Sequence, residues 1–246
     1  VEHAQSDERS LPQGADFRQA ALDAHAELSL SAGNGALMRT HVVAIAHLHS
    51  EDDVLHEAVV AVSSLTHVHT ESLDACVLWA FAVREAILTG RLDVRAGIDR
   101  LPEERAREWA LRLEEAETAE PSVFARNGWA VHALQAAWSA IHGAGPLPEG
   151  KFAQRALLTD VLERAVRAGN DTDTVACIAG ALMGAALGYK AVQPEWRRRV
   201  FGWPGMELAD LMGLVDQVLG VPEDPGSTLA SVATVTVASP PSPAAP

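Results

Sequence analysis

The chain has 246 residues, of which 48% are hydrophobic, and 33 acidic residues against 19 Lys and Arg give a formal net charge of -14. That is enough chain and enough apolar material to bury one sizeable core without a second domain. The acidic balance opposes nonspecific binding to nucleic acid or to an anionic membrane, because the basic residues form no run outside Arg197-Arg198-Arg199.

In chain order, residues 1–14 are polar and acidic, unlike a secretory leader, and residues 1–30 form an N-terminal segment without a strong pattern of its own. Ser50 with Asp53 three positions later has the form of a capping box, and Val54, Leu55, Ala58, Val59 and Val62 then give the apolar face of a helix starting near Glu51. A helix over residues 74–88 turns Ala75, Leu78, Trp79, Ala82 and Ala86 inward and stops at Thr89-Gly90, with Gly90 as C-cap. Over residues 102–117 charge dominates, and Glu103 to Arg107 and Glu108 to Arg112 are spaced for i,i+4 pairs, which predicts a solvated helix face. Helices over residues 128–141, 152–168, 175–188 and 207–219 complete the set, separated by glycine and proline breaks.

Alternating strands are absent, so the expected fold class is all-α: a compact multi-helix domain over residues 31–220. Residues 221–246, rich in Pro, Ser and Ala, read as a disordered tail with a weak strand signal at 230–238. The longest apolar run, residues 175–187, is shorter than the roughly 20 residues a membrane helix needs. Two cysteines, Cys76 and Cys177, are too few for a disulfide framework; both read as buried free thiols, and a reducing cytoplasm is the expected compartment.

Two short stretches carry chemistry. Gly169-Asn170-Asp171-Thr172-Asp173-Thr174 packs carboxylate and hydroxyl oxygens onto a helix N-terminus. Such residues are ordinary helix caps, yet Asp171, Asp173 and Thr174 are also an oxygen-only donor set suited to a hard cation. Behind them Ala176, Gly180, Gly184 and Gly188 recur every four residues, a stripe that predicts a closely approaching neighbour helix. The second stretch is Ser31-Ala32-Gly33-Asn34-Gly35-Ala36-Leu37-Met38-Arg39, whose glycines allow positive φ and close approach of backbone N–H groups to a phosphate. His41, His47, His49, His56, His67 and His69 raise a zinc centre as an alternative, although the i,i+2 pairs diverge on a helix and no His-Glu-x-x-His occurs. His67 stands apart, at the break between two helices.

Taken in order, residues 31–39, Leu65-Thr66-His67, Asn127-Gly128-Trp129-Ala130-Val131-His132-Ala133-Leu134, residues 169–188 and Pro194-Glu195-Trp196 resemble the ADP-ribosylglycohydrolase family. The resemblance implies an all-α domain that holds two magnesium ions (Mg2+) and hydrolyses the glycosidic bond between ADP-ribose and a protein side chain or small-molecule acceptor. It implies Asp171, Asp173 and Thr174 as metal ligands. Ser31, Gly33, Asn34 and Gly35 would line the ADP-ribose, and His67 would reach the same ligand from the adjoining helix end.

The chain departs from the family pattern before the glycine loop. Family members carry there a Gly-Asp-x-x-Gly-like segment and a Thr-Asp-Asp-Thr motif that supplies the rest of the metal site, and neither is present. The expectation is therefore an N-terminally incomplete domain with a partial cation shell and no evident catalytic carboxylate. Its alternative function is noncatalytic ADP-ribose binding or a structural helical role.

Overall fold

The computed structural model describes residues 13–28 and 31–220. The chain divides into two compact units, Val1–Trp196 and Arg197–Pro246. The described residues form ten α-helices and one two-stranded sheet, so the all-α expectation holds.

Three helices make the centre of the first unit: α4 (Thr70–Thr89), α6 (Ala130–Gly143) and α8 (Thr172–Leu187). Each is apolar around much of its circumference, the pattern of a helix enclosed by others. Ala133, Leu134, Ala136, Ala137, Ile178, Ala179 and Leu182 are fully buried. The small residues let backbones come close, and α8 packs on α4, α6 and α7 (Lys151–Arg167). Around this centre α2 (His41–Ala46) and α3 (Asp52–Ser63) cover α4, and α5 (Glu103–Thr118) covers α6. A buried carboxylate joins α4 to α5: Asp74 accepts from Arg105 Nε at 2.8 Å, from Arg105 Nη2 at 3.2 Å and from the Trp109 indole at 3.3 Å. Enclosed charge of this kind is tolerated only when its oxygens are satisfied.

Helix ends show where sequence patterns and tertiary contacts compete. The capping box expected at Ser50 and Asp53 does not form. Ser50 Oγ instead pairs with His47 Nδ1 at 3.2 Å, and Glu51 occupies the N-cap without a side-chain bond. Helix α4 begins four residues earlier than its apolar pattern, because His69 acts as N-cap and accepts from the Glu71 N–H at 3.3 Å. Gly90 ends it in the left-handed conformation (φ 74°), as expected. Residues 14–27, read only as part of an N-terminal segment, form helix α1 (Gly14–Glu27).

The glycine stripe of α8 makes the predicted close approach at one position. A Cβ on Gly180 would lie 3.3 Å from Leu162 Cδ2 of α7, whereas at Gly184 nothing comes within 4 Å and Gly188 (φ 73°) is a C-cap. Cys76 is buried as expected. Cys177 is exposed, its Sγ 3.5 Å from the Met38 carbonyl, because the helix turns that position away from the core.

In the second unit, strands β1 (Phe201–Gly202) and β2 (Met206–Glu207) pair antiparallel and lead into α10 (Leu208–Val218). That helix opens with a capping box in which the Glu207 N–H donates to Asp210 Oδ2 at 2.8 Å. Helix α9 covers Pro194–Arg199. The tail and strand signal expected beyond residue 220 lie outside the described residues. No described helix is long and apolar enough to cross a membrane.

Candidate functional site

The glycine segment is held from three sides. Gly33 forms an isolated antiparallel bridge with Trp129, flanked by Asn34 N–H to Gly128 O (3.1 Å) and Ala130 N–H to Ala32 O (2.9 Å). In the first turn of α4, Ser72 Oγ donates to the Gly33 carbonyl at 3.0 Å. The reason for the glycines differs from the one expected. Neither Gly33 nor Gly35 has positive φ; both make room for an imidazole. A Cβ on Gly33 would lie 3.1 Å from His67 Nε2, and one on Gly35 would lie 3.0 Å from His67 Cε1.

His67 stands between α3 and α4, its Nδ1 2.8 Å from Thr66 Oγ1, which also accepts from Arg39 Nη2 at 2.9 Å. Burial, and then the Arg39 charge, hold its pKa below the ordinary imidazole value. The ring is therefore neutral near pH 7, with one nitrogen able to accept. Ser31, Gly33, Asn34, Gly35 and His67 thus belong to one locality.

Asn34 connects that locality to α8. Its buried side-chain N–H2 donates both to the Asn127 carbonyl and to Asp171 Oδ2, each at 2.6 Å. Residues 137 positions apart are joined directly. Asp171 is the N-cap of α8 but makes no side-chain cap bond, which leaves its carboxylate turned to Asn34. Before it, Gly169 (φ 77°) and Asn170 (φ 60°) are both left-handed, so the backbone doubles back just ahead of the helix. Asn127, absent from the expected site residues, is fully buried and grips this turn: its Oδ1 accepts from the Asp171 N–H at 2.9 Å, and its Nδ2 donates to the Gly169 carbonyl at 2.8 Å.

Asp173 lies exposed in the first turn of α8, and Thr174 is buried with Oγ1 3.8 Å from Met38 Sδ. Asp171, Asp173 and Thr174 offer a hard cation only oxygens, which suits magnesium by chemistry. They do not complete a site. Among the described residues no group of three or more His, Cys, Asp or Glu could hold a metal ion, and one Asp171 oxygen is engaged by Asn34. The histidines considered for zinc likewise form no such group among the described residues.

Next to the glycine segment a cavity of about 510 Å3 is bounded by Ser31, Ala32, Gly33, Glu71, Arg126 and Trp129. Its aromatic wall is braced: the Trp129 indole N–H donates to Glu71 Oε2 at 2.8 Å, and Arg112 Nη2 donates to Glu71 Oε1 at 2.8 Å. The Arg112 and Arg126 guanidiniums lie 5.7 Å and 5.2 Å from the Trp129 ring centroid. Arg112 is only 17% exposed, so this part of the charge-rich helix is not the solvated face expected. A smaller hollow of about 250 Å3 shares Ser31 and Gly33 and extends to His67. Together they offer peptide groups, a flat aromatic wall and the Arg126 guanidinium to a polar ligand bearing a ring.

A family model described as ADP-ribosylglycohydrolase matches residues 4–227, extending beyond the motif-bearing stretch at both ends. The chain is similar to the ADP-ribosylarginine hydrolase Tri1 of Pseudomonas putida (strain GB-1), with 29% identity over 170 residues that cover 69% of this chain. It spans 42% of the length of that relative. With Asn34, His67, Trp129 and Asp171 gathered in one place and the family model matching most of its length, the chain belongs to the ADP-ribosylglycohydrolase family.

Proposed function

We propose that this chain acts on ADP-ribose attached through a glycosidic bond to a protein or to a small molecule, and that the reaction is hydrolysis. Water adds to the anomeric carbon, and the acceptor leaves with a proton. The observation that carries this reading is the Asn34 to Asp171 hydrogen bond, which ties the oxygen-bearing helix mouth to the glycine segment, whose residues Ser31, Ala32 and Gly33 line a ligand-sized cavity. The name of the relative makes an arginine side chain the first acceptor to test.

In this reading the peptide groups of residues 31–35 receive the phosphates and ribose, where local donors offset the acidic net charge. Neutral His67 offers its Nε2 to a hydroxyl, Trp129 supplies a flat wall, and Asn34 fixes the direction of the Asp171 carboxylate. Magnesium is the proposed cofactor, with Asp171, Asp173 and Thr174 as one side of its shell; it would stabilise charge developing on the sugar. No side chain of the described residues is assigned as general base. A reducing, cytoplasmic setting accords with the free Cys76 and Cys177. Neither nucleic acid nor membrane is a proposed partner.

That the described residues hold no group of three or more His, Cys, Asp or Glu placed for a metal supports a second reading, in which the chain binds ADP-ribose without turning it over. One experiment separates the two. Release of ADP-ribose from an ADP-ribosyl-arginine peptide is measured with magnesium and with chelator, beside calorimetric titration of free ADP-ribose. Hydrolysis needs magnesium and falls about ten- to hundredfold in Asn34→Ala, the size expected for losing a hydrogen bond to a charged group. Binding without release selects the second reading, and no binding at all refutes both.

A further inference from the structure

We infer that Asn127 is a positioning residue for Asp171: it fixes the main chain of that residue from behind while Asn34 fixes its carboxylate from in front. Only the functional readout of this inference rests on the reading of the site as an ADP-ribose site.

Both ends of the Asn127 amide grip the same turn. Oδ1 takes the Asp171 N–H at 2.9 Å, and Nδ2 gives a hydrogen bond to the Gly169 carbonyl at 2.8 Å. Its own carbonyl takes a bond from Asn34 Nδ2 at 2.6 Å, the same nitrogen that reaches Asp171 Oδ2. Asp171 is thus enclosed in a ring of hydrogen bonds formed by two asparagines that lie 93 positions apart in the chain.

The turn needs an outside restraint. Gly169 and Asn170 are both left-handed, at φ 77° and 60°; asparagine tolerates that region better than other residues with a Cβ but still at some cost, which the two Asn127 bonds on either side of it offset. Asn127 is fully buried and cannot exchange either bond for water. The residue type is also constrained: aspartate would keep the acceptor for Asp171 but lose the donor for Gly169, and alanine loses both.

A buried polar group that merely stabilises the fold must be told apart from one that aims a carboxylate. Ser139 supplies the control. It is 2% exposed, and its Oγ donates to the Ala119 carbonyl at 2.5 Å, away from the glycine segment. Three measurements are made on the whole chain with Asn127→Ala, Asn127→Asp and Ser139→Ala: thermal unfolding, amide hydrogen exchange at Asp171, and calorimetric titration with ADP-ribose.

The Asp171 amide is expected to exchange much faster in Asn127→Ala and to stay protected in Asn127→Asp and Ser139→Ala. ADP-ribose affinity falls about tenfold in Asn127→Ala and changes by less than about twofold in Ser139→Ala, even though both melt earlier. Because Asn34 and Asn127 hold the same residue, the Asn34→Ala, Asn127→Ala double variant loses less affinity than the product of the single losses. Wild-type exchange at Asp171, or wild-type affinity, in Asn127→Ala overturns the inference. Should Asn127→Ala fail to fold, fast exchange at Asp171 in Asn127→Asp overturns it. A wild-type chain that binds no ADP-ribose refutes the proposed function, and the exchange measurement still decides the role of Asn127.

Discussion

Where α4, α6 and α8 meet, the packing surfaces are chiefly Ala, Leu, Val and Ile; at the mouth of α8 the buried groups are polar: Asn34 and Asn127, which hydrogen-bond to Asp171, and Thr174 in the first turn. The first region gains stability from area removed from water, which has no direction and tolerates small displacements. The second is held by hydrogen bonds that each specify one partner, and deleting one leaves its partner buried and unsatisfied. The stability of the molecule and the aim of its candidate site are therefore carried by different atoms, and substitutions should separate them.

The largest expected effect lies in the apolar region. Leu134 is fully buried in α6, and Leu134→Ala should lower stability by about 2–5 kcal/mol, the range for a leucine whose cavity cannot fully collapse. Denaturant unfolding reads this directly. In the folded fraction, affinity for ADP-ribose should stay near wild type, in contrast to Asn34→Ala. If Leu134→Ala weakens binding as much as the asparagine change does, the two regions are not separable.

The two regions also differ in how far the sequence reveals them. Apolar periodicity located α6 and α7 to within two residues at each end, because a buried helix face repeats along the chain itself. The joining of residues 31–35 to Asp171 followed from the family resemblance and not from any periodicity. Asn127 was missed because both its side-chain partners lie more than 40 positions away, at 42 and 44, and a hydrogen bond over that separation leaves no repeat to read. Arg112 was hidden in another way. Its i,i+4 bond to Glu108 forms, but so does a bond to Glu71 of α4, and only the tertiary fold makes that pairing visible. At Ser50 the local cap motif lost to His47, a competition that short-range rules do not contain.

A smaller effect tests the packing behind the site. Alanine favours a helix interior over glycine by about 1 kcal/mol. At Gly184, where an added Cβ meets nothing within 4 Å, Gly184→Ala should realise most of that gain and raise the melting temperature. At Gly180 the added Cβ would press on Leu162 Cδ2 at 3.3 Å, and displacing that side chain offsets the gain. Gly180→Ala should therefore leave stability about unchanged. Equal stabilisation by the two would mean that α7 gives way freely, and that the stripe holds no close contact worth conserving in design.

The smallest effect is a pH dependence shared by both regions. Burial holds His41 of α2 and His67 of the site below the ordinary imidazole value of 6.5, with the Arg39 charge adding to the shift at His67. In the unfolded chain both take up a proton near that value, while in the folded chain they resist it. The unfolded state then binds more protons, so their contribution to stability is complete above pH 6.5 and is lost as pH falls toward the depressed folded values. The depressed carboxyls of Asp99 and Glu117, beside Arg100 and Arg95, lose their contributions only in a more acidic window, below ordinary values of 3.8 and 4.5. Unfolding free energy should accordingly decline as pH falls through the ordinary imidazole value of 6.5, before the carboxylates intervene. His41→Gln and His67→Gln should each flatten that decline, the first by relieving a helix beside the apolar centre and the second by relieving the glycine segment. His132 of α6 is also held below the ordinary value, chiefly by burial, and contributes in the same direction. If, of the two variants, only His67→Gln flattens the decline, His67 outweighs His41, and the division between the two regions extends to their response to protons.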